Sequence, residues 1–303
     1  MKKNFFIFFV LILFLKTAIF SSGGVGNDFL RINPNAKSSS MSNAYCAVSG
    51  DTNSIFFNPA GLSFIKNPII SLTHFSSFGD TNYEYFCAVY SMGGFGAMGL
   101  GVLYNYTFAF VEYDEFGDEA GNIDNRDITV TLSYSYPIIS FMPFGINIKY
   151  FNSLLYKYTK TGFAVDLGTM VYINKNPEIL GGFTVQNIGY QTAYIDIVDE
   201  MPVNIKAGMS FKSNIINDLS ILIAIDTNRL VTKDELPILD IGGELCFRKF
   251  LSLRSGIGLH HDAERFSFGF GLNLENVKFS YAFVPYDFLG DTHRITLDIE
   301  FKK

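Results

Sequence analysis

The 303-residue sequence has no tryptophan, only three cysteines and only 17% charged residues. Cys46, Cys87 and Cys246 are too few and too widely spaced for a disulfide framework or a zinc site, so we interpret them as small apolar fillers. A disulfide bond that involves Cys46 is kept as an alternative interpretation. Because the number of cysteines is odd, at least one thiol is free. The net charge of −6, without a basic cluster, argues against nucleic acid and against adsorption to an acidic membrane surface.

Long apolar runs are also absent after the first twenty residues, which excludes a later membrane-spanning helix. The composition is nevertheless strongly hydrophobic, with 48% hydrophobic residues, 32 phenylalanines and 17 tyrosines. If this protein spans a membrane, it therefore does so as a β-barrel.

The last stretch of the chain, residues 294–301, alternates strictly between apolar and polar side chains. Ile295, Leu297 and Ile299 alternate with Arg294, Thr296, Asp298 and Glu300. Only a β-strand places such residues on two opposite faces. A strand of a soluble β-sandwich shows the same alternation. The other segments of the sequence are therefore needed to distinguish an apolar face that packs in a protein core from one that faces a bilayer.

Five further segments repeat the pattern with bulky apolar residues on one face and small or polar residues, including glycine, on the other: 128–136, 144–150, 203–211, 266–274 and 277–283. A lipid-facing surface needs only bulk, whereas the inner wall of a narrow barrel has little space. The sequence predicts an all-β fold, a transmembrane antiparallel β-barrel with its bulky side chains outward.

Fourteen strands are expected between residues 68 and 301, separated by turn sequences. Longer connections at 112–127, 190–200 and 227–236 are predicted to be loops at one end of the barrel. The predicted strand starts are Pro68, Asn82, Gly94, Ile128, Phe144, Thr161, Ile179, Met201, Leu219, Ile238, Leu251, Arg265, Val277 and Thr292.

The N-terminal region has a different pattern. A basic start, an apolar run at 5–15 and small residues at 21–24 predict a signal peptide over residues 1–22; Lys16 argues against a signal anchor. Residues 23–66 lack a period of two and are predicted to form a small helical or irregular plug (hatch), followed by the barrel at 67–303. Within the plug, Asn58-Pro59 is a favourable helix start.

Several segments resemble the PorV/PorQ branch of the FadL-type outer-membrane barrels. Residues 41–48 and 51–62 are similar to the N-terminal plug of that family, and 281–294 are similar to its last hairpin. The family's Asn-Pro-Ala-Gly signature is matched by Asn58, Pro59, Ala60, Gly61 and Leu62. Ser40, Ser42 and Asn43 stand where family members usually carry glycines, which leaves the local plug conformation open.

The resemblance implies a fourteen-stranded barrel in which hydrophobic ligands pass a pocket near the hatch and leave sideways beside a kinked third strand. The candidate for that strand here is the glycine-rich segment containing Gly93, Gly94, Gly96, Gly99 and Gly101. These glycines either weaken the strand ladder and permit a bulge, or relieve crowding against the plug. The sequence leaves both interpretations open.

We therefore expect a protein of the cell outer membrane that passively binds and transports hydrophobic small molecules, without enzymatic activity, cofactor or metal. The alternative is a PorV-like accessory of an outer-membrane protein-secretion system; a purely structural barrel is a third possibility. The expected partners are the lipid bilayer, a long-chain hydrophobic ligand, the barrel-assembly machinery through the C-terminal strand and, under the alternative, secretion-system components. Nucleic acid is not expected.

Other motifs have weaker support. Residues 94–99 match a dinucleotide-binding spacing, but a strand pattern follows them instead of the required helix. His260-His261 is interpreted as part of a solvated turn, and the acidic residues of 114–127 lack the order of a calcium loop. Charges of both signs on the predicted inner wall are expected to pair and to close the bore to ions.

Overall fold

The computed structural model describes residues 26–231, 236–261, 266–286 and 290–302, apart from the side chains of 108–110, 120 and 122–124. Fourteen antiparallel strands form a closed barrel in which each strand pairs with its neighbours in sequence and the first pairs with the last. The predicted fold and strand number are therefore confirmed. The predicted signal peptide, residues 1–22, lies outside the described residues.

The strands are β1 Ile69–Ser76, β2 Thr81–Ser91, β3 Ala97–Tyr113, β4 Glu119–Ile139, β5 Met142–Leu155, β6 Tyr158–Lys175, β7 Glu178–Gln191, β8 Asn204–Ile216, β9 Leu219–Leu230, β10 Ile238–Phe247, β11 Leu251–Leu259, β12 Phe266–Leu274, β13 Val277–Tyr286 and β14 Gly290–Glu300. Before them come a 3-10 turn Asp28–Arg31, helices α1 Ala36–Ser39 and α2 Ser54–Phe57, and a 3-10 helix Pro59–Phe64. None of the helices in the described parts of the chain is long and apolar enough to cross a membrane.

The predicted loop at 112–127 is corrected by the structure, since β3 continues to Tyr113 and β4 already begins at Glu119. These two strands are 17 and 21 residues long, well beyond the roughly 9–11 residues that cross a bilayer. Residues 119–127 at the start of β4 are mainly polar and lack the apolar alternation from which strands were predicted. Likewise, β9 continues to Leu230, so the loop predicted from residue 227 begins later.

The sidedness of the strands is as predicted. Leu132 and Ile148, paired on neighbouring strands, point outward and are 57% and 53% exposed, whereas Ser133 and Asn147 beside them are buried in the lumen. In β14, Ile295 is exposed and Thr296 is fully buried. The outer wall is thus apolar and the inner wall is small and polar.

The two ends of the barrel differ. The described connections at the loop end are 77–80, 114–118, 156–157 and 192–203. The turn end carries the connections at 92–96, 140–141, 176–177, 217–218, 248–250 and 275–276. The predicted connections at 112–127 and 190–200 lie at the loop end, the first of them shortened to 114–118, and the one predicted at 227–236 lies partly outside the described residues.

The segment that precedes β1, residues 26–68, packs inside the barrel, and Met41, Tyr45 and Phe57 within it are fully buried. We call it the plug. Glycines of the wall make room for it: a Cβ at Gly145 would lie 2.3 Å from the backbone nitrogen of Ala60. This agrees with the expectation that small residues line the inner wall because space there is short.

Candidate binding site between the plug and the barrel wall

The predicted plug motif begins at Asn58, which is fully buried. Its side chain accepts a hydrogen bond from the backbone N–H of Ala60 (3.2 Å), which caps the 3-10 helix that starts at Pro59. The same side chain donates to the carbonyl oxygens of Cys46 (2.9 Å) and Thr169 (3.0 Å). Asn58 therefore joins two parts of the plug to strand β6.

The other residues of the motif fill the space between the plug and the wall. The carbonyl oxygen of Ala60 accepts a hydrogen bond from the Ser135 hydroxyl of β4 (3.1 Å), and Leu62 is fully buried in an apolar cluster with residues of β1, β2 and β3. Gly61 is required by contact, since a Cβ there would lie 2.4 Å from the Ser54 hydroxyl oxygen. The motif is thus a packing unit that seats the plug.

A second anchor was not recognised from the sequence. The carboxylate of Asp226 on β9 accepts hydrogen bonds from the backbone N–H groups of Tyr45 (2.6 Å) and Cys46 (2.5 Å). Asp226 itself is buried. Its only signal in the sequence is a carboxylate on the inward face of an otherwise apolar strand.

An ionic network lies within the plug. Lys37 pairs with Asp51 at 3.0 Å, and the Tyr45 hydroxyl donates to the same carboxylate at 2.7 Å. Burial alone would raise the pKa of Asp51, but Lys37 and the hydrogen bonds from Tyr45, Lys37 and Asn53 outweigh it and hold this pKa below its usual value. The carboxylate is therefore ionised, and the pair fixes α1 to the residues before α2.

Several of the charges predicted on the inner wall form pairs. Lys149 meets Asp166 at 2.8 Å and Arg254 meets Glu244 at 2.5 Å, and all four residues lie in the lumen. Lys278 and Glu300 pair at 3.0 Å near the turn end. With the plug between them, these pairs obstruct the bore.

On the loop-end side of the plug lies a cavity of about 250 Å³. It is bounded by the plug and by strands β7–β10, β13 and β14, and its lining combines three basic side chains, the carboxylates Asp28 and Asp240, several amides and apolar side chains. The cations are Arg31, Lys206 and Arg294; the amides are Asn33, Asn43, Gln186, Asn204 and Asn228; the aromatic and aliphatic residues include Leu30, Ile32, Phe56, Phe57 and Ile238.

Basic and aromatic groups lie close together at the cavity. Lys206 is 9% exposed and its ammonium lies 4.8 Å from the Phe57 ring centroid; Arg294 is 4% exposed and lies 4.6 Å from that of Phe75. The Oδ1 of Asn204 and the Nε of Arg294 have no hydrogen-bond partner within the described protein. A buried donor and acceptor of this kind suit a ligand that carries a polar group.

A smaller, mainly apolar cavity of about 20 Å³ lies further inside, lined by Leu30, Ile55, Phe56, Tyr85 and Leu103 among others. Leu30 and Phe56 line both spaces. The plug therefore supplies apolar side chains that are shared by the two cavities.

The glycine-rich segment is placed differently from the prediction. Gly93 and Gly94 belong to a 3-10 turn and Gly96 follows it with φ +90°, so all three precede β3, and only Gly99 and Gly101 lie in the strand. Both strand glycines face Ile55 of the plug, whose atoms would lie 3.0 Å and 3.2 Å from an added Cβ.

The β2–β3 ladder runs without a register shift from Ser91↔Ala97 to Thr81↔Thr107, and the first shift between β3 and β4 comes after Thr107. The geometry of Gly99 and Gly101 thus matches the interpretation that they relieve crowding. Lateral opening at β3 remains a hypothesis that requires one of these ladders to part.

The histidine pair also differs from the prediction. His260 has a φ of +64° and its ring nitrogen lies 3.0 Å from the Pro237 carbonyl oxygen. His261 is not simply solvated, because its ring contacts Asp240 at 2.6 Å and lines the cavity. The described residues contain no group of three or more metal-ligating side chains.

No family model matches the sequence, and no curated protein matches it either. Solved structures do match the fold. The CymD monoaromatic hydrocarbon channel has a TM-score of 0.65 at 10% identity, over 89% of this chain and 98% of that chain. The toluene transporter TbuX of Ralstonia pickettii has a TM-score of 0.60 at 12% identity, over 88% and 98%. A Pseudomonas aeruginosa FadL homologue gives 0.55 at 10% identity, over 88% and 98%.

At identities of 10–12%, these TM-scores establish the fold alone, a closed barrel similar to the FadL-type barrels. Membership of the PorV/PorQ branch remains a prediction.

Proposed function

We propose that this protein is an outer-membrane barrel that binds hydrophobic small molecules between its plug and its wall and lets them pass without energy input. The observation that carries the proposal is the cavity of about 250 Å³ above the plug, enclosed in a barrel with an apolar outer wall. Its fold is similar to that of structures described as a toluene transporter and a monoaromatic hydrocarbon channel. No catalytic residue or cofactor is part of the proposal.

Signal-peptide cleavage, insertion by the barrel-assembly machinery through β14 and residence in the outer membrane belong to the same proposal. The support is the basic and apolar start of the chain and the exposed aliphatic face of the strands. The charge pairs around the plug support a path for neutral or weakly polar molecules and not for hydrated ions.

The cavity favours an amphipathic ligand over a plain hydrocarbon. Lys206, Arg294 and Asn204 offer polar contacts on the wall, while Phe56 and Leu30 offer apolar contacts on the plug. A ligand with one polar group and an apolar body would satisfy both sides, since buried polar groups stay costly unless they are paired.

The test uses cells with a lipopolysaccharide-containing outer membrane that express the whole protein, with N-phenyl-1-naphthylamine and a pyrene-labelled fatty acid as probes. We expect faster uptake of at least one probe than in cells without the protein. Asn228→Trp, which fills the cavity, should reduce this uptake about tenfold. Ile225→Trp, on the outward face of the same strand, should leave it within twofold. Equal uptake with and without the protein would contradict transport.

The secretion-accessory alternative has a specific observation in its favour. Apolar side chains at the loop end are strongly exposed, including Phe116 at 82% and Ile197 at 83%. Contiguous apolar surface in water is typical of a protein interface. Native purification followed by lipid mass spectrometry and pull-down on one sample separates the two: co-purified lipid-like ligand supports uptake, and a stoichiometric large protein supports secretion.

A further inference from the structure

At the junction between β7 and β8, one strand continues well past its neighbour, as β3 and β4 also do past β2 and β5 at the loop end. Strand β7 pairs with β8 from Glu178↔Lys212 to Gln186↔Asn204, and β8 begins at Asn204. The last five residues of β7, 187–191, have no ladder partner on β8, and four of them, 188–191, are paired with β6. At about 3.4 Å per residue this free edge is about 17 Å long. We call it the β7–β8 notch.

A bulge in β7 begins the notch. Asn187 has a φ of +60°, and the β6–β7 register shifts between Val165 and Leu167, so that Gln186 and Asn187 together face Asp166. Asp166 is fully buried and accepts the Asn187 N–H at 2.8 Å. Lys149 bonds both partners, at 2.8 Å to Asp166 and 2.9 Å to the Asn187 side chain. A bulge held by a buried ion pair is a fixed feature of the wall.

The notch lies at the height of the apolar outer band. Ile188 and Tyr190 lie on the free edge with their side chains on the outer face. Tyr190 pairs in register with Phe163, whose ring centroid is 5.1 Å from that of Tyr150. Such an aromatic row is typical of the membrane interface. Strand edges without a ladder are not tolerated against lipid unless other protein covers them.

The cover is residues 199–203, held by isolated bonds in place of a continuous ladder. Lys160 pairs with Asp199 at 3.3 Å, and the Val231 N–H donates to the Val203 carbonyl oxygen at 2.9 Å. The Gln191 amide donates to the Asp199 carbonyl oxygen at 2.6 Å, and the Asn187 amide donates to that of Pro202 at 3.2 Å. The Gly26 N–H donates to the Glu200 carbonyl oxygen at 3.3 Å. Isolated bonds of this kind can be exchanged more easily than a continuous backbone ladder.

Behind the cover, the interior is apolar and leads to the cavity. Met201 is buried with Phe29, Leu30, Phe151 and Ala164. Leu30 also lines both cavities, and the last ladder pair, Gln186 and Asn204, forms part of the wall of the larger one. The cavity is therefore separated from the outer face by one short covered junction.

We propose that ligands pass between the cavity and the bilayer through the β7–β8 notch when residues 199–203 move aside. This inference rests on the proposed function and places the lateral path at β7–β8 instead of at the glycine-rich third strand. Ile195 and Val198, in the same connection as the cover, are both exposed.

A disulfide tether tests the path. A Cβ at Gly26 would lie 2.6 Å from the Cβ of Asp199, close enough for Gly26→Cys with Asp199→Cys to tie the cover down after a small backbone shift. The matched control, Ala88→Cys with Leu100→Cys, ties directly opposed outward residues of β2 and β3. Both pairs are made in a Cys246→Ser background and compared with and without reductant in the cell uptake assay.

We expect the oxidised cover tether to slow uptake about tenfold, with recovery on reduction, and the control tether to change it less than twofold. The path through the notch would be contradicted if only the β2–β3 tether slowed uptake, if both tethers slowed it equally, or if neither did. If the untethered protein binds and transports the probes, such a result leaves the proposed function standing. If it does neither, the proposed function itself fails.

Because the cover tether also holds the start of the plug, a second measurement locates the path directly. A diazirine-bearing hexadecanoate is photolysed with the untethered protein in membranes, and labelled peptides are mapped by mass spectrometry. Label concentrated at 187–203 is expected. Label concentrated at 97–107, or spread evenly over the outer wall, would contradict the inference.

Discussion

Ser42 and Asn43 show how single residues set the plug, because both adopt the left-handed backbone region with φ of +48° and +63°. These are positions at which the resemblance expects glycine, and the structure keeps the glycine-like conformation with side chains present. For a serine this backbone costs about 1–2 kcal/mol. The Ser42 N–H donates to the Ser267 hydroxyl at 2.8 Å, a contact that holds the strained turn against β12.

Replacement of Ser42 by glycine should therefore stabilise the protein by about 1 kcal/mol, since the strain is relieved and the backbone contact to Ser267 is kept. The measurement is the thermal midpoint of the detergent-solubilised barrel. Ser40→Gly is the control, because Ser40 has an ordinary helical φ of −67° and gains nothing. A lower midpoint for Ser42→Gly would show that its side chain matters more than its backbone.

Asp226 supports a second prediction at this scale. Asp226→Asn removes the charge that accepts two backbone N–H groups of the plug, at an expected cost of about 2 kcal/mol. The buried Cys46 thiol, next to one of those N–H groups, should then react faster with maleimide, with the partly exposed Cys246 as an internal reference. Asp218→Asn, in an exposed turn, should leave both rates unchanged.

At the scale of elements, the strands could be predicted because each has an apolar face on the outside of the barrel and a small or polar face toward the lumen. This difference between the faces produces the period of two in the sequence. The start of β4 was misplaced because residues 119–127 are mainly polar and carry no apolar alternation. The bulge at Asn187 and the cover of the notch depend on Asp166 and Lys149 of other strands, which a local pattern does not reveal. For the same reason the amides that line the cavity were not recognised.

The fit between plug and wall gives an element-scale prediction. A methyl group at Gly145 of β5 would meet the backbone of Pro59 and Ala60 at 2.3 Å, and backbone atoms cannot turn away as a side chain can. Gly145→Ala should lower stability by about 3 kcal/mol, as overpacking does. Gly94→Ala, with nothing within 4 Å of the new methyl, should stay within about 0.5 kcal/mol. Heat-dependent mobility on gels measures both, and equal mobility shifts would show that the plug adjusts.

At the scale of the whole molecule, large apolar side chains are exposed in two places that differ in meaning. Those of the wall, such as Leu132 between Leu100 and Ile148 on neighbouring strands, form a continuous band around the barrel. Those of the loop end, such as Phe116, stand beyond the band at the tip of the long β3–β4 hairpin. Exposure alone does not distinguish lipid contact from water contact, but the energetic response to a charge does.

Leu132→Lys should cost about 2–4 kcal/mol because the charge enters the hydrocarbon near the middle of the band. We expect fewer folded, heat-modifiable barrels in the outer-membrane fraction of expressing cells. Phe116→Lys replaces an even more exposed side chain but remains in water, so its yield should match that of the unmodified protein. Equal yields for both substitutions would mean that the band does not face acyl chains, and the path proposed through the β7–β8 notch would then open into water instead of lipid.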